Sequence, residues 1–278
     1  MRIAISVDME GISGVVSFKQ ITTGSAEFAR AQRLATDDVN AAIAGAREAG
    51  ATRFVLHDTH SLDEINLLID ELDEGAEYVG GQPLLLWEDL GVEYDAAFLI
   101  GYHGRAGQAA IMSHVFTDLI CDVRLNGKSA GEGALAAALA GYYDIPTVLV
   151  TGDDWVASEM RNWCPTIETA QTKVSITRYA ARCLPIKEAR ANIRDAARRA
   201  MAGLAEHRPL RLVQPTSLDV RWRNNQTARS VALMPGVELV DQDTTRFADD
   251  DYAQVDRVMK AMLHIALSPL NAGGVQMP

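Results

Sequence analysis

Short apolar runs alternate with longer stretches of helical periodicity along most of the chain. Ile3–Val7, Arg53–His57, Ala96–Ile100 and Thr147–Val150 are strand-length runs in which Val, Ile and Phe are well represented. Between them, Ala26–Gly50 repeats Ala, Leu and Val at helical spacing and closes on a glycine suited to a C-terminal stop. Gly133–Tyr143 is alanine-rich and also reads as helix. Strands alternating with helices predict an α/β fold, with a mostly parallel central sheet flanked by helices.

The pattern continues beyond Asp153. Asp154–Trp163 reads as a short helix stopped ahead of Pro165, and the alternation over Lys173–Tyr179 as a strand. Ile186–Glu206 is amphipathic: Ile186, Ala189, Ile193, Ala197, Ala200 and Leu204 recur on one side, while Arg190, Arg194 and Arg198 form a solvated face. In Ser217–Arg223, Leu218, Val220 and Trp222 alternate with charged residues, which predicts an antiparallel or edge strand. Met234-Pro235-Gly236 marks a turn, and Asp249–Leu267 reads as a final helix with acids in its first turn. The change of character places a boundary near Arg208–Pro209. It divides an α/β metal-binding catalytic domain, 1–208, from a smaller C-terminal α+β portion, 209–278. No internal repeat or low-complexity tract interrupts this order.

Composition narrows the function classes. With 278 residues, 48% hydrophobic and 23% charged, the chain has the make-up of a soluble globular protein. A formal net charge of −11 argues against nucleic acid or an anionic membrane as partner. Cys121, Cys164 and Cys183 are widely spaced with no CxxC pair, which argues against a disulfide framework or a cysteine zinc knuckle and for reduced thiols. The apolar run before Asp8 is too short for a signal peptide, and no run approaches the roughly 18 apolar residues of a membrane helix. The expected location is therefore cytoplasmic and unanchored.

The chemistry-bearing residues follow the strands. Asp8 and Glu10 close the first apolar run two positions apart, so both carboxylates project from one face if the strand persists. Two acids held together repel unless a proton or a cation lies between them. A solvated acidic turn would be the plain alternative. His57-Asp58-Thr59-His60 follows the second run, and Gly101-Tyr102-His103 the third. The carboxyl ends of parallel strands line up along one sheet edge, where ligands bind, so separate stretches would deliver Asp8, Glu10, His60 and His103 to one cleft. Glu132, between Gly131 and Gly133, opens the alanine-rich helix, where the dipole favours a carboxylate. This set suits zinc first, then manganese or iron. Five ligands exceed what one tetrahedral zinc takes from protein, so the count favours two metals bridged by a carboxylate, assigned to Asp8. His114 is cast as general acid/base or oxyanion donor. His57 falls within its strand, and His207 and His264 are read as structural or exposed.

The same residues carry a resemblance. Ser6-Val7-Asp8-Met9-Glu10-Gly11-Ile12-Ser13-Gly14, Asp58-Thr59-His60-Ser61, Gly101-Tyr102-His103, Met112-Ser113-His114 and Gly131-Glu132 resemble motifs of the D-aminopeptidase family. So do Ala140-Gly141-Tyr142-Tyr143-Asp144 through Gly152-Asp153-Asp154, and Leu233-Met234-Pro235-Gly236. The resemblance spans nearly the whole chain in order. It implies a dinuclear zinc aminopeptidase with ligands at Asp8, Glu10, His60, His103 and Glu132, a catalytic histidine at His114, and a ring-shaped homo-decamer with its sites facing an inner chamber. Short peptides are the implied substrates. The segment Leu62-Asp63-Glu64-Ile65 is more acidic than the family leads one to expect, and at the border of a substrate pocket it would shift peptide preference. The rival readings are an L-specific aminopeptidase, another two-metal hydrolase of amides or phosphoesters, and a non-catalytic assembly protein with a structural metal. The lack of a glycine-rich phosphate loop weighs against phosphoesters, and the cysteine-free ligand set against a structural site.

Overall fold

The computed structural model describes residues 1–61, 65–81 and 93–268. Its strands and helices in chain order begin β1 (Arg2–Val7), α1 (Phe28–Glu48), β2 (Arg53–Asp58), β3 (Ala76–Val79), β4 (Ala96–Tyr102), β5 (Ile120–Leu125) and β6 (Lys128–Ser129). They continue through α2 (Glu132–Tyr142), β7 (Thr147–Asp153), α3 (Asp154–Trp163), β8 (Glu168–Thr177), β9 (Ala180–Cys183) and α4 (Ile186–Ala202). The last are β10 (Thr216–Trp222), α5 (Asn225–Val231), β11 (Glu238–Leu239), β12 (Thr244–Asp249) and α6 (Tyr252–Ala266).

A seven-stranded sheet runs in the order β3-β2-β1-β4-β7-β8-β9. All its pairings are parallel except the β8–β9 hairpin at one edge. The apolar runs explain the burial: from Ile3 to Val7 and from Ala96 to Tyr102 every residue is buried, as expected of strands covered on both faces. Alternation then sorts side chains between two cores. Ile3, Ile5, Phe54, Leu56 and Phe98 pack with Ile43 of α1 and Ile193 of α4. Ala4, Val55, Leu99 and Val150 face the other core with α2, α3 and α6. Gly45 lets α1 and α4 meet, because a Cβ there would lie 2.0 Å from the Arg194 carbonyl oxygen.

A second, antiparallel sheet has the order β11-β12-β10-β5-β6. Its strands come from both sides of residue 208, since β5 and β6 precede it and β10 to β12 follow. Helix α6 packs on this sheet and against α2, which is why α2 is buried on almost every side. The structure corrects three expectations. The strand foreseen at Lys173–Tyr179 begins earlier, at Glu168, because its first half pairs with β7 rather than standing alone. Strand β10 is antiparallel but not an edge; it lies between β12 and β5, and its buried face carries Leu218, Val220 and Trp222. The last helix starts at Tyr252, so the acids precede it and Asp251 is its N-cap, accepting from the Ala253 N–H at 2.9 Å. Among the described residues the cysteines are free, and no helix is long and apolar enough to cross a membrane.

Candidate metal centre

The carboxyl ends of β1, β2 and β4 lie side by side, and the turns beyond them converge. Asp8 directly follows β1 and its N–H bonds the Ile100 carbonyl of β4 at 2.8 Å. The approach is close. A Cβ on Gly11 would sit 1.9 Å from the Tyr102 oxygen, and one on Gly101, at φ +78°, 2.1 Å from the Asp8 oxygen. Glycine at both places lets two acid- and histidine-bearing turns share one point. His60 lies two residues past β2, and His103 directly follows β4. Glu132 is the first residue of α2.

The structure brings together all six sequence-predicted site residues. His60 Nδ1 lies 3.2 Å from Asp8 Oδ1 and 3.1 Å from Glu10 Oε2. His103 Nε2 is 3.5 Å from Asp8 Oδ2 and 3.4 Å from Glu132 Oε1. His114 Nε2 is 3.6 Å from Glu10 and 3.8 Å from Glu132. The His103 and His114 rings stack at 4.4 Å between centroids. His57 lies inside β2, as expected. His207 is buried against Thr166, while His264 is exposed and borders the cavity described below. Leu62–Glu64, where the acidic segment was expected to influence the pocket, lie outside the described residues.

Each imidazole is oriented by a backbone carbonyl. His103 Nδ1 faces the Gly104 oxygen at 3.0 Å, His114 Nδ1 the Met112 oxygen at 2.8 Å, and His60 Nε2 the Ile21 oxygen at 3.2 Å. In the neutral ring that nitrogen donates its proton to the carbonyl, so the other nitrogen turns its lone pair towards the carboxylates. Non-glycine residues in the left-handed region flank His60 and His114: Ser61 at φ 64°, Met112 at 49° and Phe116 at 58°. Such backbone is costly and gathers where surrounding structure enforces a functional geometry.

The electrostatics suit a bound cation. Burial, then the charge of Glu10, raises the Asp8 carboxyl to about 7. Burial opposes ionisation of Glu10 too, but His60, His103 and His114 outweigh it and hold its pKa well below the ordinary range. Burial likewise disfavours charge on His60 and His103, yet the surrounding acids raise both well above ordinary histidine values. Asp8 Oδ2, Glu10 Oε2 and His103 Nε2 are buried without a hydrogen-bond partner. Buried polar atoms are rarely left so. Three groupings could each hold an ion, with ligand atoms within 4.8 Å of one another: Asp8, Glu10 and His60; Asp8, His103 and Glu132; and Glu10, His103 and His114. Oxygen and imidazole donors in this proportion fit zinc.

Several supporting residues carried little sequence signal. Lys173, fully buried on β8, donates from Nζ to the Glu10 carbonyl at 2.6 Å and also to the Val15 carbonyl. Glu159 accepts the Gly131 N–H at 2.6 Å and so holds the start of α2. Asp153 accepts from Gly104 N at 2.9 Å and Val156 N at 2.8 Å, pinning the turn after His103 while capping α3. Asp58 accepts from Asn66 and from Tyr78, and Asn66 also donates to the His60 carbonyl at 2.7 Å. Of these, Asp153 stands out in sequence as an N-cap acid before a helix and Asp58 as part of the motif that carries His60.

A cavity of about 510 Å³ opens on the cluster. Its lining includes Asp8, Glu10, His60, His114 and Glu132, with Phe18 and Phe116 beside them and Leu135, Leu139 and Leu263 beyond. A concave, largely apolar space with a few convergent polar groups is the ordinary form of a small-molecule site.

Comparison with known proteins gives a consistent result. The family model described as D-aminopeptidase matches residues 1–261. A D-aminopeptidase of Bacillus subtilis (strain 168) is 31% identical over 270 residues, covering 96% of this chain and 98% of that protein. Among solved structures, the Zn-dependent D-aminopeptidase DppA from Bacillus subtilis, a self-compartmentalizing protease, matches with a TM-score of 0.92 at 30% identity, over 96% of this chain and 98% of that one.

Proposed function

Because the chain belongs to the D-aminopeptidase family, we propose that it is a zinc-dependent aminopeptidase that removes D-residues from the N-terminus of short peptides or amino-acid amides. The observation that carries this reading is the buried cluster of Asp8, Glu10, His60, His103 and Glu132, whose unpartnered atoms face one another. Two zinc ions per subunit suit it. Two of the possible groupings share Asp8 and two share Glu10, which supports a bridging carboxylate, assigned here to Asp8. Zinc bound there supplies a Lewis acid for the scissile carbonyl and a water acidic enough to attack at neutral pH.

The protein's own groups do the remainder. The carboxylates give the cavity floor the negative potential that draws a peptide's ammonium end. His114, oriented through the Met112 carbonyl, presents Nε2 to the cavity. It takes the proton released by the attacking water and returns it to the departing amine nitrogen. Phe18 and Phe116 limit the water around the reacting bond. The assembly inferred is a ring-shaped homo-decamer with its sites towards an inner chamber. The likeness to a self-compartmentalizing protease supports it.

The test is hydrolysis of paired D-Ala and L-Ala amides and dipeptides, before and after chelation and zinc add-back. Zinc-restored cleavage of the D-series is expected. Cleavage of the L-series alone would keep the chemistry and change the substrate, and cleavage of neither, with metal bound, would overturn the peptidase reading.

A further inference from the structure

The cavity is electrically lopsided. Its lining holds six acids among the described residues, Asp8, Glu10, Asp58, Asp118, Glu132 and Asp256. Against them stands one Lys or Arg among the described lining residues, Lys260 of α6. It is half-buried, its Nζ lies 4.1 Å from the centre of the Phe116 ring, and among the described residues it forms no salt bridge. Asp256, one helical turn earlier, is buried beside it. Its ammonium stands over an aromatic face in the cavity wall, with the Asp256 charge acting on it from one side and room for an anion that enters the cavity.

Its distance from the metal ligands is set by one residue. The Phe116 N–H donates to Glu132 Oε1 at 2.7 Å, and the ring of the same residue carries Lys260. We propose that Lys260 binds the C-terminal carboxylate of the substrate and thereby makes the site discriminate a free C-terminus from a blocked one. The inference rests on the aminopeptidase reading. A substrate would be held at both ends: its ammonium by the acids, its carboxylate by Lys260. The scissile carbonyl is then fixed in register between them. A C-terminal amide offers Lys260 no charge and forgoes that contact.

The test uses the zinc-loaded protein with three substrates: D-Ala-Ala, its C-terminal amide, and D-Ala-Glu amide, which moves the carboxylate to a side chain. The expected result is a preference for the free acid over both amides. In Lys260→Met the ratio of kcat/KM for the acid to that for its amide falls about 10- to 100-fold, mainly through KM. Lys260→Arg keeps most of the preference, and Lys260→Gln serves if the methionine variant fails to fold. No preference in the unsubstituted protein, an unchanged ratio in Lys260→Met, or equal preference for the Glu side chain would overturn the assignment while leaving an aminopeptidase. Failure to cleave any of the three, and their L-Ala counterparts as well, would instead sink the aminopeptidase reading, and this inference with it.

Discussion

At the scale of single residues, the site divides into groups that hold charge and one group positioned to move a proton. Glu132 lies between His103 and the Phe116 N–H, so its loss opens one side of the cluster. Glu132→Ala is expected to lose bound zinc and activity together. His114 faces the cavity from the edge of the cluster, so His114→Ala should keep zinc and lose about 10²- to 10⁴-fold in kcat, the usual contribution of a general acid/base. Zinc content and kcat measured on both variants check this, and full activity of His114→Ala would remove it from the mechanism. Proton uptake gives a second handle. In the metal-free protein His60 and His103 have raised pKa values and Asp8 titrates at about 7. Zinc must therefore displace protons at neutral pH, and its affinity must weaken as pH falls. Calorimetric titration in buffers of different ionisation enthalpy should report net proton release; none would contradict the assigned ligand set.

At the scale of elements, the cluster depends on how the turns after the strands are fastened. Lys173 ties the turn after β1 to β8 through the Glu10 and Val15 carbonyls. Burial lowers its pKa from 10.5 to about 8. Between those values the unfolded chain keeps the proton and the folded chain does not, so this group makes stability rise with pH across that window. The cost of burying its charge is fully present below the window. Lys173→Met leaves two buried carbonyls without a donor, a loss of about 1–3 kcal/mol for each. Denaturant melts of both proteins from pH 7 to 10.5 should show a less stable variant whose deficit grows with pH; a deficit that shrinks would mean that burial does not depress the Lys173 pKa. The limits of sequence reading lie at this scale too. Four of the five proposed ligands were legible because each follows an apolar run, and parallel strands bring such ends together whatever their order in the sheet; Glu132 was legible instead from its place at the start of the alanine-rich helix. Lys173 and Glu159 were not, because a lysine inside a strand and a glutamate inside a helix ordinarily face water. Only the packing of β8 and α3 against the turns directs them inward. Strands β5, β6, β11 and β12 went unread for a related reason: short antiparallel pieces acquire their burial from partners distant in sequence, β5 from β10 above all.

At the scale of the molecule, the parallel sheet carries the charged cluster on its carboxyl edge, and α6, which packs on the antiparallel sheet, lines the cavity beside it. Lys260, Leu263 and His264 enter the lining from α6, so the last helix shapes the pocket although it supplies no proposed metal ligand. The β8–β9 hairpin links the site to the outer surface: Tyr179 at its tip is 72% exposed, while the neighbouring Arg178 carbonyl accepts the Met112 N–H at 2.8 Å, two residues from His114. Exposed Ile176, Val213 and Leu233 add apolar surface of the kind that subunit contacts cover. Light scattering coupled to size exclusion should return the mass of ten chains; a monomer would refute the proposed ring. The most direct measurement for the account as a whole is anomalous diffraction at the zinc edge from zinc-soaked crystals. Two peaks are predicted in each subunit, one among Asp8, Glu10 and His60 and one among Asp8, His103 and Glu132. Zinc bound elsewhere, with this cluster empty, would contradict the account.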